Sequence, residues 1–358
     1  MSFVKPVLVA AALGSVLLAT ACAGGTNANP APTLTGPTTV RLITHDSFAV
    51  SDALIADLKA KTGITLEVAT GGDAGQVVAS AILSAGAPTG DVLFGVDNNL
   101  VAKAIDAGVF ESYVSPNTGN VIPSLRDDTS EGKVTPIDYG DVCINMDTAW
   151  FSKHGIAQPR SLEDLTKPEY KDLLVVEDPG TSSPGQAFLL ATISRYNDGW
   201  KDYWAKLRAN GVKVAGSWTD AYEGSYTSGG GNGDRPLVVS YATSPPAEIV
   251  YAADPKPTKP YSTVLTDGCY RQVEYAGVLA GTQNTAGAQT VINWLLSPAV
   301  QADIPLSMFV FPALAGVIPP KVFADFAAPV KDPLQIPARD VAEKQSQWLD
   351  EWGQVMGR

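Results

Sequence analysis

Hydrophobic and polar positions along this chain change period every ten residues or so. From residue 39, Val40, Leu42 and Ile43 sit among polar neighbours in the short run 39–44, which predicts a strand. Leu54, Ile55 and Leu58 then fall on one stripe of a predicted helix over 51–62. The spacing predicts a second strand over 65–69, a helix over 75–84, an apolar strand over 91–96 and a helix over 99–107. The same rhythm returns later: strands over 173–177, 212–214 and 237–241, and helices over 186–196 and 200–210, the last with Trp204 and Leu207 turned inward. Short apolar strands alternating with helices predict an α/β fold with a mostly parallel sheet. Two segments, 139–146 and 269–275, read as crossings between lobes. A final helix over 338–355 carries Val341, Trp348, Trp352 and Val355 near helical spacing, which is a packing face.

The N-terminus is different. Lys5 precedes an apolar run over 7–19, shorter than the ~20 residues of a spanning helix. The run ends in Leu18-Ala19-Thr20-Ala21 before Cys22, and a small, polar stretch follows. This is the layout of a bacterial lipoprotein signal, with Cys22 as the lipidated first residue of the mature chain. A plain cleaved signal is the alternative. Residues 1–22 are thus expected to be the signal, and 23–38, rich in Ala, Gly, Asn, Pro and Thr, a flexible tether. The expected location is outside the cytoplasm, anchored to the cell membrane by lipid.

Of 358 residues, 45% are hydrophobic and the net charge is −12, with Lys5 the one charge before Cys22. A body this acidic argues against nucleic acid, whose phosphates demand a basic face. Cys143 and Cys269 remain after Cys22. Two cysteines in an exported chain suggest a disulfide, with separate buried thiols as the alternative. Neither a CxxC pair nor a Cys/His cluster suggests a metal. Ser228-Gly-Gly-Gly-Asn-Gly-Asp lacks the Gly-Lys-Ser/Thr of a phosphate loop and reads as a turn.

In open α/β sheets ligands bind beyond the carboxyl ends of the strands. The segments there are distinctive: Asp46-Ser47-Phe48, Asp97-Asn98-Asn99, Asp138-Tyr139-Gly140, Thr181-Ser182-Ser183-Pro184-Gly185, Trp218-Thr-Asp-Ala-Tyr222 and Ser240-Tyr241-Ala-Thr-Ser244-Pro245, with 297–305 running on to Phe309. As an ordered set covering about 39–356, they resemble the thiamine-binding subunits of bacterial ABC importers, within the type II periplasmic solute-binding proteins. The related ferric-ion binders use paired tyrosines, and this chain has no Tyr-Tyr dipeptide.

The resemblance implies a two-lobed fold. Each lobe would be a mixed, mostly parallel sheet flanked by helices, with lobe 1 formed by 39–139 plus 271–358, lobe 2 by 140–270, and the two crossing strands as hinge. It implies thiamine or its phosphate esters as ligand, a permease as partner, and no cofactor. A flat heteroaromatic cation calls for aromatic faces, each good contact contributing roughly 0.5–2 kcal/mol. Trp218, Tyr222, Tyr241 and Phe309 are the candidates, each otherwise a core or rim residue. Tyr139, Ser244 and Gly185 join the expected site through their motifs. Asp46, Asp97 and Asp138 would neutralise the thiazolium or accept from the aminopyrimidine; Asp97-Asn98-Asn99 also reads as a helix cap. Thr181, Ser182 and Ser183 open a helix and would dock a phosphate tail, or simply cap it. His45 stands where the family has tyrosine, Phe309 where it has tryptophan, and Ala247-Glu248 replaces an aromatic–His pair, so stacking area falls and polarity rises.

Two other readings stay open. One is a ferric-ion or polyamine binder of the same superfamily. The other is an extracytoplasmic enzyme acting on a thiamine-like compound. His45 and His154 are the chain's two histidines, a thin basis for catalysis, and no GxSxG motif occurs. The expectation is a binding protein, not an enzyme.

Overall fold

The structure is a computed structural model and describes residues 32–126, 130–228, 233–327 and 329–358. Cys22, the expected signal, most of the expected tether and the centre of the glycine-rich turn lie outside these residues.

Among the described residues nine strands form one continuous sheet: β1 (Thr38–Thr44), β2 (Ile64–Thr70), β3 (Val92–Asp97), β4 (Thr135–Asp147), β5 (Leu174–Glu177), β6 (Lys213–Ala215), β7 (Leu237–Tyr241), β8 (Ser262–Val278) and β9 (Phe311–Pro312). Their order is β2-β1-β3-β8-β4-β7-β5-β6, with β9 beside β4. The flanks are parallel, β2 and β3 to β1 and β6 and β7 to β5. The centre is antiparallel, because β4 and β8 run past each other from Thr135 opposite Ala276 to Asp147 opposite Ser262. These two strands are longer than the sequence pattern predicts. Lysine-free but polar stretches such as Thr266-Asp267-Gly268 interrupt the apolar signal, yet the backbone pairing continues through an irregularity between Val142 and Ile144. Gly268 allows that irregularity: its φ is +77°, and a Cβ there would lie 2.4 Å from Leu162.

The core changes over along the crossing strands. Ile137 on β4 and Val273 and Tyr275 on β8 pack with Val40, Leu42 and Phe94 in one apolar cluster. Val142, Ile144 and Tyr270, a few residues away, pack with Val176, Trp204 and Leu237 in another. Cys143 and Cys269 lie at the changeover, joined by a disulfide. The final helix (Ala338–Met356), grouped by sequence with the first lobe, sends Val341, Trp352 and Met356 into the second cluster. It also touches the first half through Arg339 on Asp106 and Lys103 on Gln345.

Helix starts follow local capping chemistry. Asp73 caps the helix Ala74–Leu83 in a reciprocal box with Gln76. Ser182 caps the helix Ser183–Tyr196, whose first turn contains Pro184. The segment 297–305, read as a strand end, is a helix instead (Pro298–Ser307), because Ser297 caps it at the Val300 N–H and Pro298 suits its first turn.

Candidate functional site

Loops at the strand ends of both halves enclose a cavity of about 580 Å³. The first half supplies His45, Asp46 and Phe48 after β1, Asp73 at its helix start, Glu274 on β8, and Met308 to Val310. The second supplies Ser183, Trp218, Tyr222, Glu223, Tyr241, Ser244, Glu248, Tyr251 and Tyr261. Aromatic faces and carboxylates dominate the wall, and none of the described lining residues is Lys or Arg.

Trp218 is the best-held aromatic. Its ring stacks on Tyr222 at 4.9 Å and 12°, and its Nε1 donates to Ser240 Oγ at 3.0 Å. Ser240 in turn meets Ser244 Oγ at 2.9 Å. Tyr241 lies against Gly140, where a Cβ would fall 2.7 Å from its ring. Phe309 adopts a left-handed backbone, φ +54°, which an aromatic residue rarely takes, and meets Tyr251 edge-on at 5.4 Å.

The acids differ in their surroundings. His45 Nε2 lies 3.4 Å from Glu274. Burial alone would lower the His45 pKa, but the Glu274 charge, with Asp73 and Asp46, outweighs it and the net shift is upward. Burial likewise opposes Glu274, yet His45 and the hydrogen bonds of Asp138 and Gln272 hold its pKa below the usual value. Asp138, behind the wall and fully buried, is pushed well up by desolvation and by the Glu274 charge. Glu248 accepts from the backbone N–H groups of Tyr261 at 2.6 Å and Ser262 at 3.0 Å.

Of the residues expected from sequence, His45, Asp46, Ser183, Trp218, Tyr222, Tyr241, Ser244 and Phe309 meet at the wall. The other six do not. Asp97 is fully buried, accepts from the Asn99 and Leu100 N–H groups at 2.9 Å and from Ser183 Oγ, and burial raises its pKa to about 6. Asp138 lies beneath Glu274, the residue at that depth whose side chain reaches the cavity. Tyr139 stacks on Phe311 at 5.2 Å, with the Arg271 guanidinium over its ring. Thr181 donates to the Gly216 carbonyl at 2.7 Å, and Ser182 accepts from the Gly185 N–H. Gly185 is small because a Cβ would sit 2.7 Å from the Glu177 carbonyl oxygen. Asp73, Glu223, Glu274 and Tyr251 went unread. Asp73 resembles an ordinary cap; a charge at a buried register of β8 was the available signal for Glu274.

Among the described residues, no group of three His, Cys, Asp or Glu side chains is arranged to hold a metal ion. Two halves on a shared sheet, crossed twice by the chain and separated by a lined cleft, make the type II periplasmic binding fold. The chain belongs to the bacterial extracellular solute-binding proteins, whose family model matches residues 87–344. It is similar to the thiamine-binding periplasmic protein of Salmonella typhimurium, 30% identical over 75% of this chain and 77% of the relative. A solved periplasmic thiamin binding protein superposes with a TM-score of 0.79 at 26% identity, covering 92% of this chain and 99% of the other. The ferric binding protein of Campylobacter jejuni shares the fold, with a TM-score of 0.69 at 18% identity over 88% of this chain and 99% of its own.

Proposed function

We propose that this solute-binding protein captures thiamine in the cleft and delivers it to the permease of an ABC importer, without chemically changing it. The observation that carries the reading is the wall itself: Trp218, Tyr222, Tyr241 and Phe309 share it with Asp46, Glu248 and Glu274, and no described lining residue is Lys or Arg. Aromatic faces attract a flat heteroaromatic cation and carboxylates offset its charge. The similarity to proteins named for thiamine binding supports the same ligand. The sequence resemblance extends the ligand range to the phosphate esters.

The halves, 140–270 against 39–139 with 271–358, the final helix packing on both, would close by bending at β4 and β8. Lipid on Cys22 would keep the protein beside its permease at the outer face of the membrane. Mass spectrometry of the chain from its membrane fraction tests this: a lipid adduct at Cys22 is expected, and a free N-terminus beyond it overturns the anchor.

Titration calorimetry against thiamine, its phosphates, spermidine and Fe³⁺ tests the ligand. Binding of thiamine in a 1:1 ratio, with the compound recovered unchanged, is the expected result. Binding of Fe³⁺ or spermidine without thiamine refutes it, and so does turnover of thiamine phosphate.

A further inference from the structure

We infer that His45 covers the Glu274 charge with a proton that an incoming cation displaces, so that capture of thiamine exchanges one positive charge in the cleft for another. The inference rests on the thiamine reading and concerns how the charge of that ligand is admitted.

Among the described residues lining the cavity, His45 is the one basic side chain. Its ring is held in place. Gly95 lies against it with φ +94°, and a Cβ there would fall 2.3 Å from His45 Cδ2. Phe94 packs on it at 5.5 Å and 41°, and 12% of the side chain is exposed. A ring this confined does not swing aside for a ligand, but it can give up its charge by losing a proton. The carboxylates on the wall are not equivalent. Asp73 accepts from the Ala74 and Trp218 N–H groups, Glu248 from those of Tyr261 and Ser262, and Asp46 from that of Gly72 at 3.2 Å. Glu223 is exposed. Glu274 is buried, and its cationic neighbour is His45, 3.4 Å away. The Glu274 charge is thus open to a ligand only when the imidazole is neutral.

Each element around His45 brings its own groups. Glu274 on β8, Asp73 at its helix start and Asp46 beside the ring all favour the protonated form and outweigh burial. From β4, Asp138 lies beneath Glu274 and is pushed toward its neutral form by burial and by the Glu274 charge. From β3, Asp97 accepts from Ser183 Oγ, and from β7 the Tyr241 phenol is kept uncharged by burial. A cation entering the cleft changes this balance. It is repelled by a charged imidazole and attracted by an uncovered Glu274, and both effects favour the neutral ring. An imidazolium N–H bond then breaks, its electron pair stays on nitrogen, and the proton passes to the buffer. Affinity for the cation therefore rises with pH as His45 loses its proton.

Titration calorimetry with thiamine, in buffers of differing ionisation enthalpy, counts the protons released on binding. At about pH 7 the wild type is expected to release roughly half a proton or more, and its affinity to rise roughly 3- to 10-fold between about pH 6.5 and pH 8. His45→Gln keeps a polar side chain that does not titrate there, and should release no proton and bind with an affinity that is flat across that window. A wild type that binds thiamine and releases no proton overturns the inference, as does His45→Gln with the wild-type release and slope. Should His45→Gln fail to fold, proton NMR of the wild type decides. The chain has two histidines, and His154 is exposed and serves as the reference, its signal identified by His154→Gln. The His45 ring is expected to titrate above 6.5 in the free protein and to move down when thiamine saturates it; an unmoved ring is the contrary result. Thiamine binding without proton release leaves the thiamine reading standing and removes only the exchange. Absence of thiamine binding at every pH overturns the thiamine reading, and the exchange with it.

Discussion

Replacing Trp218 by alanine removes the aromatic face held most firmly in the cleft. The ring stacks on Tyr222 at 4.9 Å and is pinned by its bond to Ser240, so it presents one orientation to a ligand at little entropic cost. One stacking and cation–π contact contributes about 1.5 kcal/mol, and each 1.4 kcal/mol is tenfold in affinity. Trp218→Ala should therefore weaken thiamine binding by roughly 10-fold or more. Tyr222 loses its stacking partner as well, so its ring is freed and the loss exceeds that of a single contact. Trp218→Phe keeps a face but not the Ser240 bond, and should fall between the two. Calorimetry gives the affinities, and thermal melts with circular dichroism show that each variant is folded. An alanine variant with a native melt and unchanged affinity would remove Trp218 from the site and refute the reasoning.

The remaining expectations concern stability. His45 is held above its ordinary 6.5, so the stability it draws from Glu274 is fully present below pH 6.5 and is lost as pH rises through the raised value. Asp97 acts in the same direction: burial raises it from 3.8 to about 6, and stability falls as pH climbs through that window. Glu274, held low, contributes only above its ordinary range and is lost only in stronger acid. The ligand-free protein should thus melt higher at about pH 5.5 than at about pH 8, and the reverse order would contradict these assignments. The disulfide joins cysteines 126 residues apart at the changeover between the two cores. Its removal by Cys143→Ser with Cys269→Ser should cost about 2–5 kcal/mol, read as a lower melting temperature. An unchanged melt, or labelling of both thiols in unreduced wild type, would sink that claim.

The fold was legible where burial is one-sided or complete. Val92–Asp97 is buried throughout and reads as a strand from its unbroken apolar run. Trp200–Ala209 reads as a helix because Trp204 and Leu207 share a face. The extent of β4 and β8 was not legible, since pairing along a crossing strand follows the backbone while Gly268 and its polar neighbours break the pattern. The aromatic side of the cleft announced itself through strand-end motifs. The acidic side did so only through Asp46. Asp97 and Asp138 are prominent in those motifs but lie behind the wall, whereas Asp73 and Glu274 reach it from a cap and from a strand interior. Which of several carboxylates faces the cavity depends on how the two halves meet, a long-range relation that local pattern does not encode.

The central claim is that this cleft is built for thiamine. Titration of the purified chain with thiamine, alongside thiamine monophosphate, spermidine and Fe³⁺, measures it most directly. The account predicts saturable 1:1 binding of thiamine that weakens in Trp218→Ala. Heat from spermidine or Fe³⁺ and none from thiamine would contradict it.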